Sequence, residues 1–191
     1  MKYDPAKHRR RSIRLKHYDY SQSGAYFVTM VMKGRSCLLG DIVDGQMRLN
    51  KIGHAVQDVW ENLVDHYARV ELDDFVVMPN HVHGIIVIVD HRGPVGAGLR
   101  PAPTPAPTRK QYGLPEIVRA FKSFSARRIN EMRHSPGAPI WQRNYFEHVI
   151  RSEESWNRVR QYILDNPARW AFDRENPAAT APEPENAWRS S

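Results

Sequence analysis

The chain has 191 residues, with 28 Lys and Arg against 21 Asp and Glu, for a formal charge of +7. That length suits one domain with tails and allows a sizeable core, and the charge favours a polyanionic partner, nucleic acid first, over an acidic small molecule. Cys37 is the single cysteine, which excludes an intrachain disulfide and a thiolate cluster, so any metal must be held by His, Asn, carboxylate or water. There is no apolar run of about 20 residues and no secretory h-region after the basic start, so no membrane partner and a cytoplasmic location are expected.

Residues 1–20 hold Lys2, Lys7, Arg9, Arg10, Arg11, Arg14 and Lys16 without apolar periodicity and read as a basic flexible arm. A strand rich in aromatic and β-branched residues is predicted over 25–32, then a hairpin over 37–49 turning at Asp44-Gly45. Val56, Val59, Trp60, Leu63 and Tyr67 recur at helical spacing, predicting a helix over 54–67. Strands over 70–78 and 81–89 follow, joined by a tight Pro79-Asn80 turn that makes them antiparallel neighbours. Residues 91–110 alternate Gly and Pro with Ala and Thr, a low-complexity insert within the domain.

The next helix is predicted over 114–132, with Pro115 and Glu116 in its first turn and a buried stripe of Leu114, Ile117, Val118, Phe121, Phe124 and Ile129. Arg119, Lys122, Ser123 and Arg127 fall outside that stripe and give a basic outer face. An aromatic and basic strand is expected over 141–151. Trp141 is a candidate for stacking on bases, and Arg143 and Arg151 for phosphates. Alternation puts Trp141, Arg143 and Tyr145 on one face and Gln142, Asn144 and Phe146 on the other, leaving open which set meets nucleic acid. A last amphipathic helix carries Trp156, Val159 and Ile163 up to Pro167, and the Pro, Ala and Glu content of 174–191 predicts a disordered tail.

Two pieces of this chain carry chemistry. His81 and His83 alternate about Val82 at the start of a strand, so both imidazoles point to one face roughly 7 Å apart while Val82 packs into the core. Two histidines are too few ligands by themselves, and from this pair alone a strand whose polar face carries imidazoles is the favoured reading. Tyr162 and Asn166 are four apart on a helix and share a face, which allows a nucleophile and a third ligand to sit together. On spacing alone Tyr162 is equally a core-edge tyrosine and Asn166 a helix C-cap.

His81-Val82-His83 with Tyr162 and Asn166 resembles the single-tyrosine transposases of the HUH superfamily, named for histidine, hydrophobic residue, histidine. The REP-associated tyrosine transposases (IS200-like transposases) are the closer match, through Val77-Met78-Pro79-Asn80-His81-Val82-His83, Ala120-Phe121-Lys122-Ser123-Phe124, 140–151 and Tyr162-Ile163-Leu164-Asp165-Asn166-Pro167. The resemblance spans roughly 14–172, within an expected domain of 21–173. It implies a catalytic Tyr162, a divalent metal, Mg²⁺ or Mn²⁺, on His81, His83 and Asn166, and a 5′-phosphotyrosine intermediate. The implied partner is a single-stranded DNA hairpin, met as a monomer or homodimer. Relatives place Gln where this chain has Asn166, and an acidic residue upstream of the histidines where it has Met78 and Asn80.

The element order predicts an α+β, ferredoxin-like antiparallel sheet with helices on one face, an added hairpin and a C-terminal helix carrying the tyrosine. Such sheets serve many functions. A non-cleaving DNA-binding protein acting on repeats and an RNA-binding ferredoxin-like module are therefore the alternatives to a hairpin-cleaving strand transferase.

Overall fold

The structure, a computed structural model, describes residues 18–90 and 112–183. Strand β1 is Gly24–Val31, and Gly40–Val43 (β2) pairs with Gln46–Leu49 (β3) in the expected hairpin. Asp44 and Gly45 both take positive φ, 53° and 72°, as a two-residue turn matched to strand twist requires. Helix α1, Lys51–Glu61, starts earlier than apolar spacing alone predicts. The Asn50 side chain accepts from the Ile52 and Gly53 N–H groups and so caps it. A break at Asn62 separates α1 from the short α2, Leu63–His66.

Strands β4, Val70–Val77, and β5, His81–Ile88, lead by way of 89–113 to α3, Leu114–Met132, then β6, Phe146–Ile150, and α4, Glu153–Asp165. The four longer strands form one antiparallel sheet in the order β4-β5-β1-β6. This is the ferredoxin-like arrangement that the β-α-β-β-α-β order predicts.

Strand alternation sorts the core into two layers. Tyr26, Val28, Met30, Val82, Ile86 and Ile88 face α1 and α3, where Val56, Trp60, Ile117, Val118 and Phe121 meet them. Ala25, Phe27, Ile85 and Ile150 face the other way, onto Val159 and Ile163 of α4. The two crossover helices thus share one face, and the tyrosine-bearing helix covers the opposite one. Gly84 permits the first packing: a Cβ there would lie 2.5 Å from Trp60 Cζ2 and 2.9 Å from Phe75 Cδ2. Trp60 stacks on Phe75 with centroids 4.4 Å apart because that space is empty.

Several expectations are corrected. The 141–151 strand is shorter: only Phe146–Ile150 joins the sheet, with Trp141 making a lone bridge to Met32. The Gln142 N–H still donates to the Val31 carbonyl oxygen at 2.8 Å, and the Lys122 ammonium donates to the Gln142 and Asn144 carbonyl oxygens, at 3.0 and 2.8 Å, where the chain departs from the ladder before β6. Phe124, assigned to the buried stripe, is exposed beside His66. The arm ends before position 20, since Tyr20 is buried and Tyr18 packs on it. Residues 174–183 are not a free tail but fold back on the domain: the Glu183 N–H donates to the Phe172 carbonyl, and Glu183 pairs with Arg169. The rest of the arm, the 91–110 insert and 184–191 lie outside the described residues.

Candidate active site

Val31 pairs with His81 and Thr29 with His83, so both imidazoles project from the α4 face of the sheet. They are buried, His81 fully. Their Nε2 atoms are 3.0 Å apart. The outer nitrogens are held by neighbours: His81 Nδ1 lies 2.8 Å from Asn80 Oδ1, and His83 Nδ1 2.8 Å from Thr29 Oγ1.

Asn80 decides the tautomer of His81. Its Nδ2 donates to the carbonyl oxygens of Arg35, at 3.1 Å, and Glu175, at 2.7 Å. The amide oxygen therefore faces His81, which must carry its proton on Nδ1 and turn the Nε2 lone pair inward. Burial lowers the His81 pKa to about 3, and burial with the adjacent His81 lowers that of His83 well below the ordinary range. Both rings are neutral at physiological pH, the state a metal ligand requires.

A third group completes the cluster. The carboxylate of Asp173, just past the short 3₁₀ turn Trp170–Phe172, brings Oδ2 to 3.6 Å from His81 Nε2, and ligand atoms of His81, His83 and Asp173 all lie within 4.8 Å of one another. Its Oδ1 is fixed by the Glu175 N–H at 2.6 Å. Because His81 is neutral, this approach is not an ion pair; it leaves a buried carboxylate oxygen facing the His81 Nε2 lone pair, an arrangement a divalent cation relieves. Two imidazoles and a carboxylate are a donor set that Mn²⁺ accepts readily and Mg²⁺ less so. Sequence reasoning missed Asp173, although the apolar Trp170 before it, whose ring lies 6.0 Å from that of His81, is a signal that the chain is still packed there.

Tyr162 stands on α4 against this cluster, its ring 5.3 Å from that of His83 and 6.0 Å from that of Phe27. Burial and then the Asp173 charge push its pKa up, opposed by a hydrogen bond from Asn166. Asn166 is buried, and its Oδ1 finds no hydrogen-bond partner among the described residues. Tyr162, His83 and Asp173 line one cavity of about 230 Å³, together with Arg35, Gln142, Asn144, Arg174 and Glu175. Helix α4 is seated by Asp73 of β4, which accepts from Trp156 Nε1 at 2.8 Å and from Arg160 Nε and a terminal nitrogen at 2.9 and 2.6 Å.

No family model matches the chain. An uncharacterised protein of Haemophilus influenzae is 41% identical over 178 residues, covering 91% of this chain and 96% of its own. A second protein of that organism, provisionally named a REP-associated tyrosine transposase, is 22% identical over 81% of this chain and 76% of its own. The solved structure of a REP-associated tyrosine transposase bound to a REP hairpin superposes with a TM-score of 0.52 at 19% identity, covering 84% of this chain and 76% of that one. The chain shares the fold of a REP-associated tyrosine transposase.

Of the residues that the sequence pattern marks for nucleic acid, Arg119, Lys122, Ser123, Trp141 and Arg143 line one groove between α3 and 138–145. Trp141 contributes little free surface, since it is buried against Phe121 and its Nε1 donates to Ser125 Oγ at 2.9 Å. Lys122 is occupied by the carbonyl oxygens of Gln142 and Asn144, and burial lowers its pKa to about 8. Arg127 lines a separate hollow at the end of α3. Arg151 follows β6 at the Ala25 end of the sheet, the end away from the histidines.

Proposed function

We propose that this protein is a divalent-metal-dependent endonuclease and strand transferase that cleaves single-stranded DNA beside repeat-associated hairpins through a 5′-phosphotyrosine intermediate. The observation that carries this reading is one cavity holding Tyr162, His83 and Asp173, with His81 behind, in a chain that shares its fold with a REP-associated tyrosine transposase solved with a REP hairpin.

In the reaction the Tyr162 oxygen attacks the scissile phosphorus, the bond to the 3′ oxygen breaks, and a proton ends on that oxygen as a free 3′-hydroxyl. The phosphodiester energy is kept in the tyrosyl ester, so a hydroxyl can reverse or redirect the step without ATP. Tyr162 begins as a phenol, with its proton held by burial and by Asp173. Asn166 favours the phenolate through its hydrogen bond, and its unpartnered Oδ1 suits a further ligand. His81, His83 and Asp173, with Asn166 as the residue the family resemblance adds, would hold the ion. A bound Mg²⁺ or Mn²⁺ supplies positive charge for the non-bridging and 3′ oxygens of the phosphate, and offsets the carboxylate that raises Tyr162.

A module that reads RNA by stacking bases on a sheet needs an open sheet face. Here α1 and α3 cover one face and α4 the other, which favours the nuclease. Action on DNA also fits a cytoplasmic location.

The test is cleavage of end-labelled DNA hairpins, taken from repeats of the encoding genome, with Mn²⁺ or Mg²⁺. Cleavage lost with chelator and in His83→Ala is expected. Tight hairpin binding with no cleavage under any metal would favour the non-cleaving DNA-binding alternative.

A further inference from the structure

Glu175 lies in the active-site cavity between two guanidinium groups. Its Oε2 is 3.0 Å from Arg35 Nε and its Oε1 3.3 Å from Arg174 Nε, and all three residues line the cavity that holds Tyr162. We propose that Arg35 and Arg174 form a phosphate-binding site for the single-stranded substrate beside Tyr162, and that the Glu175 carboxylate occupies it until DNA displaces it. The proposal rests on the nuclease reading above.

A carboxylate bracketed by two arginines is the arrangement in which an oxyanion is recognised, and a phosphodiester presents the same charge with acceptor oxygens in reach of both guanidinium groups. Stability does not account for it. Arg35 is 45% exposed, and ion pairs of that kind contribute little to folding. Yet Arg35 is held at φ +55° after Gly34 at +67°, a backbone that residues with side chains rarely adopt.

The buttress for that backbone is Asn80, whose amide nitrogen takes the Arg35 and Glu175 carbonyl oxygens while its oxygen takes His81 Nδ1. One side chain therefore ties the anion site to the catalytic histidine. Glu175 itself is the more enclosed partner, 13% exposed, so the arginines face the opening and the carboxylate fills the place behind them.

The experiment measures binding of a fluorescein-labelled DNA hairpin with a single-stranded flank in the full-length Tyr162→Phe protein, by anisotropy across a salt series. Adding Arg35→Gln should weaken binding and flatten the slope of log K against log salt by about 0.7, the loss of one phosphate contact on a single strand. Arg35→Lys should keep the slope because the charge stays, whereas a purely structural role of the guanidinium would be lost in both variants. Glu175→Gln should tighten binding, by less when Arg35→Gln is also present, because the two act on one site. A parent that binds while all these variants leave its affinity and slope unchanged overturns the site. A parent that binds no hairpin, together with a wild type that cleaves none, overturns the nuclease reading and this site with it.

Discussion

Asn80 links three functional elements at the scale of a single residue. Its oxygen fixes the His81 proton on Nδ1, and its nitrogen joins the Arg35 turn to the 173–175 segment. Partners of metal-bound histidines typically matter by about 10–100-fold in affinity. Asn80→Ala should weaken Mn²⁺ binding by about that factor, as read by calorimetry. The histidines also predict a pH dependence. With chelator present, His81 has a folded pKa of about 3 against 6.5 unfolded, so the unfolded chain takes up a proton that the folded one refuses. Stability is then fully present above pH 6.5 and falls as pH drops toward 3, by a few kcal/mol. Urea midpoints should show that slope and should flatten in His81→Gln. The histidine pair, Tyr162 and Asn166 were legible because strand and helix periodicity fix their faces. Asp173 and Glu175 were not, because no local pattern reveals that an acidic, Pro-containing stretch folds back over a sheet.

Helix α4 is positioned by charge as well as by apolar packing. Asp73 draws hydrogen bonds from Trp156 and Arg160, two turns or less before Tyr162, next to a register shift between Leu72 and Phe75. Replacing it with Ala removes the hydrogen bonds from Trp156 and Arg160, and because Arg160 is 44% exposed and water takes up its guanidinium, the cost is about 0.5–1.5 kcal/mol. Asp73→Ala should lower the urea midpoint, and it should slow phosphotyrosine formation more than it weakens hairpin binding, because the hairpin residues lie on other elements. Gly84→Ala drives a methyl into Trp60 and should cost about 1–3 kcal/mol by overpacking, read from the same denaturation curves. Strand and helix order was legible from periodicity. The late start of β6 was not, because it goes with the Lys122 ammonium capturing two carbonyl oxygens from a separate helix.

Over the whole molecule, the sheet is a platform covered on both faces, with its histidine-bearing end closed by α4 and by the chain after it. The proposed chemistry sits where β1, β5, α4 and 173–175 meet, while the basic groove along α3 opens on a neighbouring surface. That separation of chemistry from gripping predicts that His81→Ala abolishes cleavage and leaves most hairpin binding intact, by gel shift and cleavage on one oligonucleotide. The measurement that tests the central claim most directly is mass mapping of the protein–DNA adduct formed with Mn²⁺, after nuclease trimming and tryptic digestion. The peptide 161–169, released by cleavage after Arg160 and Arg169, should carry the nucleotide mass on Tyr162 and lose it under chelation. A nucleotide on any other peptide, or cleavage with no adduct at all, would contradict the assignment of Tyr162 as the nucleophile.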